Sequence, residues 1–204
     1  MTQSLSFIHR FEPGADPTRP PVLLLHGTGG DEDDLLPLGR LVAPGSALLS
    51  PRGKALERGM PRFFRRLAEG VLDEDDVRFR AGELADFVAE ARAAYRLAAP
   101  IAIGFSNGAN VAAAMLLLRP ATLSGAVLLR AMAPFREPPK VDLTGKPVLL
   151  LSGQSDSMIP AELAARLAST LADAGAVLER KVLPTGHQLS QADAALTKDW
   201  LDAL

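Results

Sequence analysis

The stretch IGFSNGAN, residues 103–110, places a single serine between two glycines. The residues before it, Pro100–Ile103, are apolar and typical of a buried strand, and those after it, Val111–Leu118, are apolar and helix-prone. Gly-X-Ser-X-Gly between a strand and a helix is the pattern of a nucleophile elbow, a tight turn that exposes a serine hydroxyl at the top of a parallel sheet. A glycine-rich turn that merely starts a helix fits the same residues, so the rest of the chain must decide.

Strand-like and helix-like segments alternate along the 204 residues. Short apolar runs predict strands over Leu5–Phe11, Pro21–His26, Ala47–Ser50, Pro100–Phe105, Gly125–Leu129, Pro147–Ser152 and Ala176–Leu183. Amphipathic runs predict helices over Asp31–Val42, Phe79–Leu97, Asn107–Leu118, Pro160–Ala174 and Gln188–Leu204. This alternation predicts a single α/β domain over residues 1–204. We expect a mainly parallel twisted sheet of about seven strands, with helices on both faces and Leu5–Phe11 as an antiparallel edge strand.

Composition excludes several classes of function. The formal net charge of −2 provides no basic field for nucleic acid. With no cysteine, the chain has no disulfide, no thiolate zinc site and no cysteine nucleophile, which is compatible with a reducing compartment. The N-terminal residues lack a signal-peptide pattern, and the longest apolar run, Val111–Leu118, is too short to span a bilayer. We therefore expect a cytoplasmic protein with no nucleic-acid partner and no membrane insertion.

A serine nucleophile at position 106 needs a base, which is usually histidine. The chain has three histidines. His9 lies in the predicted edge strand, His26 runs directly into a glycine-rich turn, and His187 follows the last strand in LPTGHQLS. Because ligands bind at the carboxyl ends of parallel strands, position and elimination favour His187 as the base for Ser106.

The histidine in turn needs an acid, and Asp156 follows an apolar strand in VLLLSGQSD. The chain order Ser106, Asp156, His187 is that of α/β-hydrolases. Asp156 could instead cap the helix that starts near Pro160. The remaining candidates, Asp142, Asp173 and Asp193, are less suited because they fall in a loop or on helices.

An oxyanion hole is predicted in LLLHGTGGDE, which follows the second strand. Three glycines there leave backbone N–H groups unobstructed, and we assign those of Thr28 and Asn107 as the donors. A phosphate-binding loop is the alternative, but the segment has neither the GxxxxGK[ST] nor the GxGxxG pattern.

Six motifs, HGTGGDEDDL, SPRG, GMPRFF, GFSNGAN, SGQSD and PTGHQL, together resemble the small bacterial carboxylesterases of the phospholipase/carboxylesterase branch of α/β-hydrolases. Within that branch, the sequence is most similar to carboxylesterases associated with hydroquinone and quinone resistance. The resemblance implies Ser106 as nucleophile, Asp156 as acid and His187 as base, hydrolysis of short acyl esters, and neither a metal nor an organic cofactor. Dienelactone hydrolases are also similar, but they use a cysteine.

The substrate-binding residues are less defined. The predicted strands Gly125–Leu129 and Pro147–Ser152 are joined only by the short segment Arg130–Lys146, so we expect no large lid domain between them. Apolar residues near predicted strand ends could form the acyl pocket: Met60, Phe63, Phe64, Met132, Ile159 and Leu189. The two phenylalanines could equally anchor the irregular stretch Pro51–Asp76 in the core. Arg52 and Arg130 follow strands and either bind a substrate carboxylate or pair with an acid to fix a loop.

Two charged runs resemble binding sites but have simpler interpretations. The first run predicts one solvated helix face rather than a nucleic-acid patch, and it contains Arg62, Arg65 and Arg66. Asp31–Asp34 predicts acidic charge at a helix N-terminus rather than a metal site.

The sequence therefore predicts a serine carboxylesterase that acts on a small ester. A homodimer is compatible with this short, lidless design. A thioesterase or lysophospholipase for long acyl chains is one alternative. A hydrolase-fold binding or sensor protein without turnover is another.

Overall fold

The computed structural model describes residues 5–204, which build one large sheet, two small hairpins and five helices. The strands are β1 (His9–Glu12), β2 (Val22–Leu25), β3 (Leu48–Pro51), β4 (Ala55–Glu57), β5 (Met60–Arg62), β6 (Arg66–Ala68), β7 (Val71–Leu72), β8 (Ile101–Phe105), β9 (Gly125–Leu129), β10 (Pro147–Gly153) and β11 (Val177–Leu183). The helices are α1 (Leu36–Val42), α2 (Glu74–Tyr95), α3 (Asn107–Leu118), α4 (Ala161–Asp173) and α5 (Gln191–Asp202).

The large sheet has seven strands in the order β1-β3-β2-β8-β9-β10-β11. All neighbours are parallel except β1, which pairs antiparallel with β3 at the edge. The α/β-hydrolase prediction of a mainly parallel seven-stranded sheet is confirmed. After β2 the chain moves outward to β3 and then returns to β8 on the other side. The switch point therefore lies between the ends of β2 and β8, where open α/β sheets bind ligands.

Helices cover both faces of the sheet, which explains why its central strands are continuously apolar. In β2, Leu23 and Leu25 pack into the core beneath α2, α3 and α4, whereas Val22 and Leu24 pack into the core beneath α1 and α5. Successive strand residues point to opposite faces, so both sets must be apolar. The predicted helix Asn107–Leu118 is confirmed as α3, and it is buried along nearly its whole length.

Helix α1 begins at Leu36 rather than at the predicted Asp31. The Asp31 carboxylate accepts the backbone N–H of Asp33 at 2.9 Å, a local turn that competes with helix formation. The acidic run thus lies in a loop, and the prediction of helix N-terminal charge was wrong. No group of three or more side chains able to ligate a metal occurs in residues 5–204.

The predicted irregular stretch Pro51–Asp76 contains the hairpins β4–β5 and β6–β7, followed by the start of α2. Helix α2 begins at Glu74 because the Asp73 carboxylate caps it by accepting the N–H of Asp76. The prediction of a solvated helix face over Arg62, Arg65 and Arg66 was wrong, since Arg62 lies in β5 and is only 4% exposed.

No large lid domain is inserted between β9 and β10, as expected. Of the helices in the described part of the chain, none is both long and apolar enough to cross a membrane.

Candidate active site

Ser106 occupies a sharp turn between β8 and α3, with φ 52° and ψ −110°. Positive φ is unfavourable for a residue with a side chain, by about 1–3 kcal/mol. The flanking glycines are required by close backbone approach. A Cβ on Gly104 would lie 2.6 Å from the carbonyl oxygen of Gly108, and a Cβ on Gly108 would lie 2.0 Å from that of Leu25. The turn therefore projects the serine hydroxyl from the carboxyl edge of the sheet.

The structure brings Ser106, His187 and Asp156 into one hydrogen-bonded chain. His187 Nε2 lies 3.0 Å from Ser106 Oγ, and His187 Nδ1 lies 2.9 Å from Asp156 Oδ2. The second carboxylate oxygen of Asp156 accepts the backbone N–H groups of Met158 and Ile159, at 2.8 and 3.0 Å. With Nδ1–H donating to the carboxylate, Nε2 is the acceptor for the serine proton.

The loops that carry the acid and the histidine are bonded to each other. The N–H of Gln154 donates to the carbonyl of Leu183, and that of Ser155 to the carbonyl of Thr185. A Cβ on Gly153 would lie 2.3 Å from the carbonyl oxygen of Gly186, so only glycine allows the loops to approach this closely. The side chain of Asp156 is 2% exposed and that of His187 is 11% exposed, which limits competition from water.

Thr28, in the loop after β2, and Asn107, in the first turn of α3, line the same pocket as Ser106. The backbone N–H group of neither residue has an acceptor among residues 5–204. The N-terminus of α3 adds the positive end of its dipole at this point. Two unpaired donors beside a serine hydroxyl are suited to bind a developing oxyanion.

The β4–β5 hairpin holds the loop after β2 in place, a function that the sequence did not reveal. Gly29 N–H donates to the carbonyl of Pro61 at 2.9 Å, and Arg62 Nη1 donates to Thr28 Oγ1 at 2.7 Å. Arg62 also pairs with Glu57 at 3.1 Å. Burial lowers the pKa of Arg62 from its ordinary value, and the Glu57 carboxylate opposes that shift.

The same hairpin is anchored to α3 through Phe63, whose N–H donates to Asn107 Oδ1 at 2.7 Å. Phe63 and Phe64 are 2% and 0% exposed, and both belong to the core. Neither phenylalanine lines the pocket beside Ser106, so their positions do not support a role as acyl-pocket walls. They anchor the stretch that follows β3, which was the other interpretation left open.

A pocket of about 40 Å³ opens beside Ser106. Its apolar wall consists of Leu72, Met132, Met158 and Ile159. Met132 and Ile159 were predicted there, whereas Leu72 in β7 and Met158 in the loop after β10 were missed because neither segment has a clear sequence pattern.

The other predicted binding residues lie outside this pocket. Met60 is exposed and lies alongside Gly29. Leu189 packs with Phe105 against the core beneath α1 and α5. Arg52 forms a bidentate pair with Glu32, so its position favours fixing a loop over binding substrate.

For Arg130, the sequence left open either binding of a substrate carboxylate or pairing with an acid, and the structure favours the pairing. Its side chain is fully buried and pairs with Asp193 at 2.7 Å, which matches the alternative that it pairs with an acid to fix a loop.

His26 supports the loop after β2 from below. Its ring is 1% exposed, with Nδ1 lying 2.6 Å from the carbonyl oxygen of Gly27 and Nε2 accepting the N–H of Gly53 at 3.0 Å. Only the neutral ring can donate to one neighbour and accept from the other. Burial lowers the pKa of His26 below its ordinary value of 6.5, which favours that neutral form.

This burial makes a prediction for stability against pH. Below pH 6.5 the His26 ring is protonated in the unfolded chain but stays neutral in the native chain. The contribution of His26 to the free energy of unfolding is therefore complete above pH 6.5 and is lost as the pH falls from 6.5 through the lowered native pKa. We expect the free energy of unfolding to fall less steeply between about pH 7 and 5 in His26→Gln than in the wild type. Urea titrations across that range measure it. Equal slopes would contradict the assignment.

Comparison with known proteins identifies close relatives. A family model described as Phospholipase/Carboxylesterase matches residues 8–204. The protein MhqD of Bacillus subtilis (strain 168), which is named as a hydrolase, is 44% identical over 181 residues, 88% of this chain and 90% of its own. The Bacillus cereus carboxylesterase superposes with a TM-score of 0.94 at 42% identity, covering 97% of this chain and 94% of that one. A carboxylesterase from Mesorhizobium loti superposes with a TM-score of 0.93 at 30% identity, covering 99% and 97%.

Proposed function

Because this chain belongs to the phospholipase/carboxylesterase family and is a hydrolase of carboxylic esters, we propose that it cleaves short-chain acyl esters, aromatic ones among them, through an acyl-enzyme on Ser106. The observation that carries the proposal is the continuous hydrogen-bonded chain from Ser106 Oγ through His187 to Asp156. A serine hydroxyl is a weak nucleophile unless such a base removes its proton.

In acylation, His187 Nε2 takes the proton of Ser106 as Oγ attacks the ester carbonyl carbon. The carbonyl oxygen gains negative charge and is held by the N–H groups of Thr28 and Asn107. Asp156 stabilises the imidazolium that forms, without taking the proton itself. As the tetrahedral intermediate collapses, His187 gives its proton to the leaving alcohol, and the acyl group stays on Ser106.

Deacylation repeats these steps with water as the nucleophile. His187 Nε2 takes a proton from the water, whose oxygen attacks the acyl carbon. The second tetrahedral intermediate collapses, the proton passes to Ser106 Oγ, and the carboxylic acid leaves. Each N–H donor of the oxyanion hole contributes about 10²–10³-fold to the rate.

The size of the pocket supports a short acyl group. A volume of about 40 Å³ is room for only a few atoms, since a cavity needs ~10–15 Å³ for a single water molecule. Leu72, Met132, Met158 and Ile159 form an apolar side of this pocket that can receive a small hydrocarbon group, and Arg66 and Glu69 line its polar side.

Hydrolysis of p-nitrophenyl esters of increasing acyl length tests this proposal. We expect kcat/KM to be highest for acetyl and butyryl esters and to fall by about tenfold or more for long acyl chains, most of whose carbons extend beyond the pocket beside Ser106. A steep rise with chain length would favour a thioesterase or lysophospholipase. An absence of turnover at every length would favour a binding or sensor protein.

A further inference from the structure

Arg130 is the largest fully buried side chain of the protein's described residues, at 0% exposure. It directly follows β9 and has a backbone φ of 56°, a left-handed conformation that is unfavourable for arginine. Its backbone N–H donates to the carbonyl of Leu151 in β10, which fixes the start of the side chain at the carboxyl edge of the sheet. A buried cation in a strained conformation requires compensating contacts nearby.

Those contacts begin with Asp193 in the first turn of α5. Nη1 and Nη2 of Arg130 donate to the two carboxylate oxygens of Asp193 at 2.7 and 2.8 Å. Asp193 is 2% exposed and also accepts the N–H and hydroxyl of Ser190, which closes a capping box at the start of α5. The pair is therefore a planar, bidentate and dry ion pair rather than a surface contact.

The remaining donors of Arg130 reach the residues on both sides of His187. Nε donates to the carbonyl of Gly186 at 2.9 Å, and Nη2 lies within hydrogen-bond distance of Thr185 Oγ1 at 3.1 Å and of the carbonyl of Gln188 at 3.2 Å. The loop that joins β11 to α5 has no regular secondary structure of its own. The guanidinium thus supplies internal contacts that such a loop otherwise lacks.

We propose that Arg130 is a positioning residue that holds the His187 loop so that Nε2 stays within hydrogen-bond distance of Ser106 Oγ. This proposal rests on the proposed function. The guanidinium acts through the backbone on either side of the histidine and never touches substrate. One rigid guanidinium fork reaches all of these acceptors at once, whereas a lysine ammonium at the same position reaches only some of them.

The test compares Arg130→Met and Arg130→Lys with the wild type in p-nitrophenyl butyrate hydrolysis, well below the midpoint of unfolding. We expect kcat to fall by about 10²-fold in Arg130→Met, as for a misplaced catalytic group, with KM changed less than threefold. Arg130→Lys should restore only part of the loss. The downfield NMR resonance of the His187 ring proton bonded to Asp156 should weaken in parallel.

A stability-matched control separates positioning from folding. Breaking a buried ion pair should lower Tm by about 6–20 °C, so Leu171→Ala, a core truncation in α4, serves as a variant of comparable Tm loss remote from Ser106. We expect Leu171→Ala to keep its kcat and its downfield resonance. An equal loss of kcat in Leu171→Ala, or a folded Arg130→Met with unchanged kcat, would overturn the proposal.

Asp193→Asn provides a second variant if Arg130→Met does not fold. Asparagine keeps an oxygen for the cap at Ser190 but turns an NH₂ group toward the guanidinium, so we expect a fall in kcat of about tenfold or more. Unchanged kcat in this variant would also overturn the proposal. Ser106→Ala, measured in parallel, separates failure of the proposed function from failure of the positioning role. If Ser106→Ala keeps the activity of the wild type, the proposed function is refuted. If Ser106→Ala is inactive but the Arg130 and Asp193 variants keep full kcat, only the positioning role is refuted.

Discussion

Replacing Ser106 by alanine should lower kcat by about 10⁴–10⁶-fold and leave the fold intact. The variant loses the hydroxyl that lies 3.0 Å from His187 Nε2, and the covalent step is lost with it. Alanine has the same Cβ as serine, so the strained turn between β8 and α3 is no less accessible to it. The residual rate should come from the oxyanion donors and substrate binding alone.

Ser169→Ala is the matched control for this experiment. Ser169 is exposed on α4, where its hydroxyl lies 3.2 Å from an oxygen of Asp173, and its loss should leave kcat within twofold of the wild type. Hydrolysis of p-nitrophenyl butyrate by both variants, purified side by side, measures the difference. Unimpaired turnover in Ser106→Ala would refute Ser106 as the nucleophile.

The second large effect is expected for Asp156→Asn, at about 10⁴-fold in kcat. The asparagine oxygen can keep accepting the N–H groups of Met158 and Ile159, which holds the loop in place. Its NH₂ group then faces His187 Nδ1 and cannot accept a proton from it. The ring is driven to the tautomer with a proton on Nε2, which cannot remove the serine proton.

Asp142→Asn is the matched control for the acid. Asp142 is an exposed loop aspartate that accepts the N–H of Thr144, and it was one of the weaker candidates for the acid. Near-wild-type kcat is expected for it. If Asp156→Asn reduced kcat no more than Asp142→Asn, the acid would have to be sought elsewhere.

The parts of the fold that the sequence predicted are those with strong local signals. Apolar runs such as Gly125–Leu129 and Val111–Leu118 are buried regardless of their neighbours, so strand β9 and helix α3 were predicted correctly. Ser106, Asp156 and His187 were found as a set because each follows a predicted strand, and parallel strands bring their carboxyl ends together. Their distances could not be predicted, because they depend on loop conformation.

The errors concern charged residues whose partners are distant in sequence. Arg62 was interpreted as part of a solvated helix face because no wider basic field surrounds PRFFRR, yet its partner Thr28 lies 34 residues earlier. Arg130 was read as a possible substrate ligand, but Asp193, 63 residues later, pairs with it. A charged residue immediately after an apolar strand, as in VLLRAM, was the available signal for a buried partner.

His26 shows the same limitation at shorter range. The sequence placed it at the end of an apolar strand, before a glycine-rich turn, but the donor to Nε2 is the N–H of Gly53, 27 residues away. The contacts by which His26 supports the loop of Thr28 could therefore be identified only in the structure.

The most direct test of the account is labelling of the protein with a fluorophosphonate, followed by peptide mapping and by measurement of the esterase activity that remains. We predict one adduct per chain, located on Ser106, with activity lost in proportion to labelling. The adduct should be absent from Ser106→Ala and should form far more slowly in Asp156→Asn, because His187 no longer activates the hydroxyl. Esterase activity that persists after complete modification of Ser106, or inactivation by an adduct on another residue, would contradict the account.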